Sequence, residues 1–140
     1  MESIWTKTCR LPEYAPLRDS ASADVAIVGG GLTGILTAWL LKDSGLSVLV
    51  LEKNSVGRGA SAFTTAKITS QHGLIYTKLL KSLGTERARQ YAAAAQKAIA
   101  SYRQIVKKEQ IDCDFSNRPA FLYSTLDSAA LKQEAESARH

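Results

Sequence analysis

The chain has 140 residues, a formal net charge of +5, and an ordinary content of 45% hydrophobic and 22% charged residues. These values predict one soluble globular domain that is long enough to bury a core. The amino terminus has no apolar signal core, and no apolar stretch is long enough to span a membrane. We therefore expect a cytoplasmic protein without a membrane span.

Charge and cysteine usage exclude two further classes of site. Nine Lys and Arg oppose four Asp and Glu in residues 73–118. These cations are spread along predicted helices without a groove-reading motif, so we expect a solvated face and no nucleic-acid binding. Cys9 and Cys113 are far apart and have no metal-ligand spacing with His72 or His140, which predicts reduced thiols and no metal site.

The first 23 residues predict an irregular arm. Pro12 and Pro16 disfavour regular structure there. Four apolar side chains could hold this arm, residues 1–23, on the domain: Trp5, Leu11, Tyr14 and Leu17.

A glycine-rich turn lies between two apolar runs. The pattern of residues 24–28 predicts a buried strand of a parallel sheet. The turn, residues 29–34, reads Gly-Gly-Gly-Leu-Thr-Gly. A predicted helix follows it and leads to a second strand that ends at Glu52. The helix carries one apolar stripe, formed by Leu32, Ile35, Leu36, Trp39 and Leu40. Gly45 is placed to end this helix in a left-handed conformation. The order predicts a nucleotide-binding βαβ unit over residues 24–52.

Each conspicuous residue of this unit has a physical role in holding a dinucleotide. Gly29 permits the sharp turn, Gly31 lets the backbone approach a pyrophosphate, and Gly34 lets the helix lie close to the sheet. Unpaired amides at the helix start, from Leu32 to Gly34, would face the phosphates. Glu52 can accept hydrogen bonds from a ribose diol, and its charge would repel a 2′-phosphate.

A lone GxGxxG motif is weak evidence for a nucleotide site, but further positions agree here. The pattern GxGxxGxxxAxxLxxxGxxVxxxE is matched without an insertion by Gly29, Gly31, Gly34, Ala38, Leu41, Gly45, Val48 and Glu52. The same residues would also suit NAD, and a glycine turn in an ordinary α/β domain is the structural alternative.

The later part of the chain predicts mainly helices. A loop over residues 53–73 precedes a helical segment over residues 74–110, which Gly84 divides into a short and a long helix. Two short strands are expected at Cys113–Phe115 and Ala120–Tyr123. Thr125 or Asp127 then begins a final helix.

The fingerprint and the loop that follows it resemble the amino-terminal part of FAD-dependent oxidoreductases of the D-amino-acid oxidase (DAO) family. Within that family, the chain is most similar to the glycine oxidase, sarcosine oxidase and gamma-glutamylputrescine oxidoreductase type. The loop segment from Gly57 to Gly73 especially resembles a bacterial branch that often carries a Rieske iron–sulfur domain. The resemblance implies an α/β fold, a Rossmann-like FAD-binding domain with a parallel sheet, here over residues 24–140. It also implies that the chain is incomplete, as an amino-terminal fragment or a truncated product, because the later parts of the family's fold are absent.

The resemblance assigns residues to non-covalently bound FAD. Residues for the pyrophosphate and the adenosine are Gly29, Gly31, Thr33, Gly34, Glu52 and Lys53. The loop would pass beside the phosphates at Gly59, Ala60 and Ser61, and would approach the flavin ring at Thr64, Thr65, Ala66 and Lys67. Lys67 could tune the flavin, or could be a solvated lysine.

The activity implied by the resemblance is oxidation of a small-molecule amine or amino acid by hydride transfer to flavin N5. No catalytic residue can be named from the sequence. The alternatives are a non-catalytic module that assembles through its exposed surfaces, as a possible homo-oligomer, and an NAD-binding domain.

Overall fold

The structure is a computed structural model that describes residues 3–139, and it divides into two units, Met1–Ala66 and Lys67–His140. Residues 1, 2 and 140, at the outer ends of the predicted arm and of the predicted domain, lie outside the described residues. The boundary expected at residue 24 stays a prediction.

A parallel pair of strands forms the centre of the first unit. Strands β1 (Val25–Val28) and β2 (Val48–Leu51) pair in parallel with Val25 opposite Val48 and Val28 opposite Leu51. Helix α2 (Leu32–Leu41) connects them, so the predicted order of strand, helix and strand is confirmed. The helix ends before Gly45, which adopts the expected left-handed conformation, with a φ of 79°, in the turn that follows.

Asp24 and Ser47 tie the beginnings of the two strands together. The Oδ2 atom of Asp24 accepts hydrogen bonds from the amide and the hydroxyl of Ser47 at 2.8 and 2.6 Å. The Asp24 amide donates to the Ser47 hydroxyl at 2.9 Å. The bonds from the Ser47 side chain and then from its amide lower the pKa of Asp24. These reciprocal bonds fix the register at the end of the sheet opposite the glycine turn.

Gly34 brings α2 against β1. It is the buried residue of the helix, and a Cβ atom there would collide with the carbonyl oxygen of Gly29 and lie 3.3 Å from Cγ2 of Ile27. Ala38 and Leu41 follow on the same side of the helix and are half-buried. This close approach is the role that the spacing of the glycines predicts for Gly34.

The burial expected for β1 is wrong, and the apolar stripe of α2 is only partly covered. The stripe lies on the side of the helix away from Gly34; Leu32, Ile35 and Leu40 are exposed, and Leu36 and Trp39 are half-buried. Strand β1 is not fully buried either, because Val28 is 87% exposed. Half-buried and exposed residues alternate along β1, so this strand is covered on one face, whereas all four residues of β2 are half-buried. The backbone approach at Gly34, rather than the larger apolar stripe, decides which side of the helix meets the sheet.

The arm is not wholly irregular, because a short helix, α1 (Ile4–Thr8), interrupts it. Ser3 and Thr6 form a capping box at its start: the Ser3 hydroxyl accepts from the Thr6 amide, and the Thr6 hydroxyl accepts from the Ser3 amide. Reciprocal capping satisfies two amides that a short helix would otherwise leave unpaired. The expectation of irregular structure therefore fails at this one turn.

Two helices form the regular structure of the second unit. Helix α3 (Ile75–Lys108) is interrupted at Gly84, whose φ of 77° is non-helical, as the sequence predicts. Helix α4 (Ser128–Ser137) begins after Asp127, whose Oδ1 atom accepts from the Ala130 amide at 2.9 Å. Of the two candidates for this helix start, Asp127 is confirmed.

The two strands expected between these helices are absent from the described residues. Cys113–Phe115 and Ala120–Tyr123 have no strand partner there, and Phe121 and Tyr123 are 80% and 83% exposed. A short apolar run alone does not make a strand, since an isolated hairpin without an apolar surface to cover is at best marginally stable.

Glu134 of α4 caps the beginning of α3 from a distance of nearly sixty positions along the chain. It is 3% exposed, and its carboxylate accepts from the amides of Tyr76 and Thr77 at 2.9 and 2.8 Å and from Gln71 Nε2 at 3.0 Å. Leu74, the N-cap residue of α3, supplies no side-chain bond. The carboxylate therefore satisfies amides that the helix start leaves unpaired. Its negative charge is also attracted to the positive end of the helix dipole.

Burial of Glu134 raises its pKa, but the bonds from Thr77, Tyr76 and Gln71 outweigh burial, and the pKa is lowered. A lowered pKa in the folded chain means that the unfolded chain binds more protons. The resulting stability is present above the unfolded pKa of about 4.3, and it is lost as the pH falls through the folded pKa.

We expect Gly34→Ala to lower the free energy of unfolding by about 1–3 kcal/mol, because the new methyl group forces α2 away from the Gly29 carbonyl. Chemical denaturation followed by circular dichroism measures this change. Gly59→Ala is the matched control, since Gly59 has a φ of −73° and nothing within 4 Å of an added Cβ atom. Equal stability of the two variants would contradict the close approach at Gly34.

We expect Glu134→Gln to cost about 1–3 kcal/mol at neutral pH, because the charge-assisted caps of two amides are weakened. Glu136→Gln, an exposed change on the same helix, should have little effect. The difference between wild type and Glu134→Gln should shrink below about pH 4 as Glu134 becomes protonated. Urea denaturation at several pH values measures the free energy of unfolding of both proteins. A difference between them that did not depend on pH would refute the cap.

Candidate functional site

The glycine turn continues directly from the sheet. The Gly29 amide donates to the Leu51 carbonyl at 2.7 Å, which extends the strand pairing by one bond. The φ of Gly29 is 106°, a conformation that a residue with a side chain rarely adopts. Gly31 is the N-cap of α2 and contributes no side chain. The backbone therefore turns sharply from the end of β1 into the helix, as the sequence predicts.

Glu52 points at this turn from the end of β2. Its Oε2 atom accepts from the Gly30 amide at 2.7 Å, and its Oε1 atom accepts from the Asn54 amide at 3.0 Å. The bonds from Asn54 and then Gly30 lower the pKa of Glu52, so the carboxylate is ionised near neutral pH. A carboxylate oxygen has two lone pairs, so each of these atoms can accept a further hydrogen bond.

Gly30 is a site residue that the sequence motif passes over. It is buried, its amide holds Glu52, and its carbonyl accepts from the Gly57 amide at 2.8 Å. An added Cβ atom would lie 3.1 Å from both Cβ of Glu52 and Cγ2 of Val56. The only sign in the sequence was that position 30, between two glycines of the fingerprint, is itself a glycine. The motif accepts any residue at that position, so it does not mark Gly30.

Ser61 meets the first amide of α2. Its hydroxyl accepts from the Leu32 amide at 2.9 Å and lies 3.3 Å from the position of a Cβ atom on Gly31. The expectation that the Leu32 amide is unpaired is therefore wrong. The amides of Thr33 and Gly34 have no protein acceptor within residues 3–139.

The remaining site candidates lie along the loop. Lys53 is exposed beside Glu52. Gly59 precedes a 3₁₀ turn (Ala60–Phe63), which contains Ala60 and Ser61. Thr64 ends this turn, and the exposed residues Thr65 and Ala66 close the first unit, with Ala66 at a φ of 53°. Lys67 begins the second unit. An approach of residues 64–67 to a flavin ring stays a prediction.

The turn has the features that a diphosphate requires. Two free amides at the start of a ten-residue helix can donate to an anion, and the helix dipole favours negative charge there. Beside Gly31, the nearest atom to an added Cβ is the Ser61 hydroxyl, a group that can itself donate to phosphate. The Glu52 carboxylate lies across the turn and can accept hydrogen bonds from hydroxyl groups. The residues present therefore fit a dinucleotide.

A parallel βαβ unit with such a turn and acid is typical of dinucleotide-binding proteins. The family model described as FAD dependent oxidoreductase (DAO) matches residues 24–140. The chain therefore belongs to the FAD-dependent oxidoreductases of the DAO family.

Curated relatives agree with this assignment. The chain is 39% identical over 135 residues to YhfW of Bacillus subtilis, whose name describes a Rieske 2Fe-2S iron–sulfur protein, and 32% identical over 131 residues to gamma-glutamylputrescine oxidoreductase of Escherichia coli. A 33-residue stretch is 58% identical to flavin-containing amine oxidase B of Bos taurus. The resemblance to this family and to its gamma-glutamylputrescine oxidoreductase and Rieske-named members is thus confirmed.

The chain spans only part of these relatives. The matches cover 96% and 89% of this chain but 26% and 30% of YhfW and of the Escherichia coli enzyme. The amine oxidase match covers 24% of this chain and 6% of that protein. The comparison with solved structures gave no significant match.

Other kinds of site are not supported within residues 3–139. No group of three or more His, Cys, Asp or Glu in that range could hold a metal ion. Cys9 and Cys113 are both exposed, free thiols. None of the helices in the described range has the length and apolar character that crossing a bilayer requires.

We expect the Glu52 carboxyl to titrate below its value in the unfolded chain, because two amides stabilise the charged form. Carbon-detected NMR of the side-chain carboxyl, in native buffer and in urea, measures both midpoints. Gly30→Ala should bring the midpoint closer to the unfolded value, since it crowds the Glu52 side chain. A folded midpoint equal to the unfolded one would contradict the hydrogen bonds to Gly30 and Asn54.

Proposed function

We propose that this chain is the FAD-binding portion of a flavin-dependent oxidoreductase, with the pyrophosphate at the glycine turn. The single observation that carries the proposal is the ionised Glu52 carboxylate bonded across the turn to the Gly30 amide at 2.7 Å. Family membership supports FAD over another nucleotide. Non-covalent binding is part of the proposal.

The pyrophosphate would be held mainly by backbone groups. The free amides of Thr33 and Gly34 would donate to one phosphate, and Gly29 and Gly31 would leave room for its approach. The Ser61 hydroxyl, and the exposed turn at Gly59 and Ala60, would lie on the other side. These contacts need no cationic side chain, because the helix start already favours an anion.

Glu52 would select the sugar. Its two oxygens each retain a lone pair for a ribose hydroxyl, and its negative charge would repel a 2′-phosphate. Lys53, exposed beside it, would lie near the adenosine. The anchoring of Glu52 by two amides supports this role, because a fixed carboxylate loses little freedom when the sugar binds.

The bound flavin would supply the redox chemistry, accepting a hydride at N5 from a carbon next to an amine. The names of a gamma-glutamylputrescine oxidoreductase and an amine oxidase among the relatives support an amine or amino-acid substrate. Thr64, Thr65, Ala66 and Lys67 would approach the ring, where a lysine cation would favour negative charge. No residue of this chain is proposed as a catalytic acid or base.

The test is equilibrium binding of FAD to the purified 140-residue chain. We expect saturable binding, retained flavin absorbance after gel filtration, and weaker competition by NAD than by ADP. Glu52→Gln should weaken FAD binding about tenfold to a hundredfold, because a charge-assisted acceptor of the ribose hydroxyls is lost.

Glu13→Gln is the matched control, since Glu13 is an exposed acid of the arm. It should leave FAD affinity unchanged. A wild-type chain that does not bind FAD would overturn the proposal. Preferential binding of NAD would instead favour an NAD-binding domain. A stable oligomer that binds neither nucleotide and whose size neither nucleotide changes would favour a non-catalytic assembly module.

A further inference from the structure

The loop after β2 is fastened to the glycine turn at two points. The Gly57 amide donates to the Gly30 carbonyl at 2.8 Å, and the Leu32 amide donates to the Ser61 hydroxyl at 2.9 Å. The first bond holds the beginning of the loop, and the second sets the 3₁₀ turn against the start of α2. The position of Ser61 beside the proposed phosphates therefore depends on how firmly the 3₁₀ turn is held.

The amino-terminal arm supports the same loop near both of these points. The indole N–H of Trp5 donates to the Thr64 carbonyl at 2.8 Å, at the end of the 3₁₀ turn. Farther along the arm, the half-buried Leu11 lies 3.5 Å from the position of a Cβ atom on Gly57. The arm thus contacts the loop close to both points at which the loop is fastened to the glycine turn.

Short bonds connect Trp5 to the proposed phosphate site. Thr64 is the C-cap of the 3₁₀ turn, and its hydroxyl donates to the Ser61 carbonyl at 3.3 Å. Inside the turn, the Ala62 amide donates to the Gly59 carbonyl at 3.0 Å, and Ala62 is 3% exposed. Because these contacts close the turn on itself and bury the methyl group of Ala62, we expect the turn to resist distortion. Holding its end at Thr64 therefore also holds Ser61.

We propose that Trp5 is a positioning residue for the diphosphate of the cofactor, acting through the 3₁₀ turn on the Ser61 hydroxyl. This inference rests on the proposed function. In the chain without ligand, the hydroxyl satisfies the Leu32 amide. When a diphosphate binds, the Ser61 hydroxyl can keep this bond from the Leu32 amide and donate its own hydrogen bond to a phosphate oxygen. Trp5 contributes by keeping Ser61 in place beforehand, which reduces the ordering that binding must impose.

A double-mutant cycle on FAD affinity tests this role. Trp5→Phe keeps the ring and removes the N–H group, and we expect FAD binding about threefold to tenfold weaker. Ser61→Ala should weaken binding by at least as much. The double variant should bind about as weakly as Ser61→Ala alone, because Trp5 has no effect once the hydroxyl that it positions is gone.

Tyr14→Phe is the control, since it removes a polar group from an exposed aromatic residue of the same arm, and it should leave affinity unchanged. Circular dichroism and thermal melting check that every variant is folded. Unchanged affinity in Trp5→Phe, or losses that multiply fully in the double variant, would overturn the inference. Failure of the wild-type chain to bind FAD would overturn the proposed function itself. The binding measurement on the wild-type chain shows this before any variant is compared.

Discussion

The hydrogen bond between Glu52 and the Gly30 amide is the contact on which the rest of the first unit depends. Gly30 accepts from Gly57 on its other side, so one residue joins the glycine turn, the end of β2 and the following loop. The bond needs a residue without a side chain, because a Cβ atom would lie against Glu52 and Val56. After the bond from the Asn54 amide, it is the second cause that lowers the pKa of Glu52, and it directs the carboxylate at the turn before any ligand arrives.

A similar use of a carboxylate organises the second unit. Glu134 accepts from two amides at the start of α3, where the helix supplies no cap of its own. In both units a carboxylate distant in sequence satisfies backbone donors that local structure leaves unpaired. The consequences differ with burial. Glu52 is partly exposed and can accept further hydrogen bonds from a ligand, whereas Glu134 is buried and joins two helices.

Sequence reasoning succeeded where a backbone constraint is visible in the residue type. The turn at Gly29, the close approach at Gly34 and the interruption at Gly84 each follow from the freedom of glycine. It failed where burial had to be inferred from apolar pattern. Val28 of the strand expected to be buried is exposed, and Ala120–Tyr123 forms no strand in the described range, because an apolar pattern does not specify which surface covers it.

The sequence by itself determined the βαβ unit and the family, because glycine spacing and a terminal acid reflect local backbone geometry; its assignment of residues to a dinucleotide stays a prediction. Only the tertiary structure decided that Gly30 anchors Glu52, that Ser61 occupies the Leu32 amide, and that Trp5 reaches Thr64. Those contacts join residues that are 22, 29 and 59 positions apart. Such pairings leave no local periodicity in the chain, since they are set by how the loop and the arm fold back onto the turn.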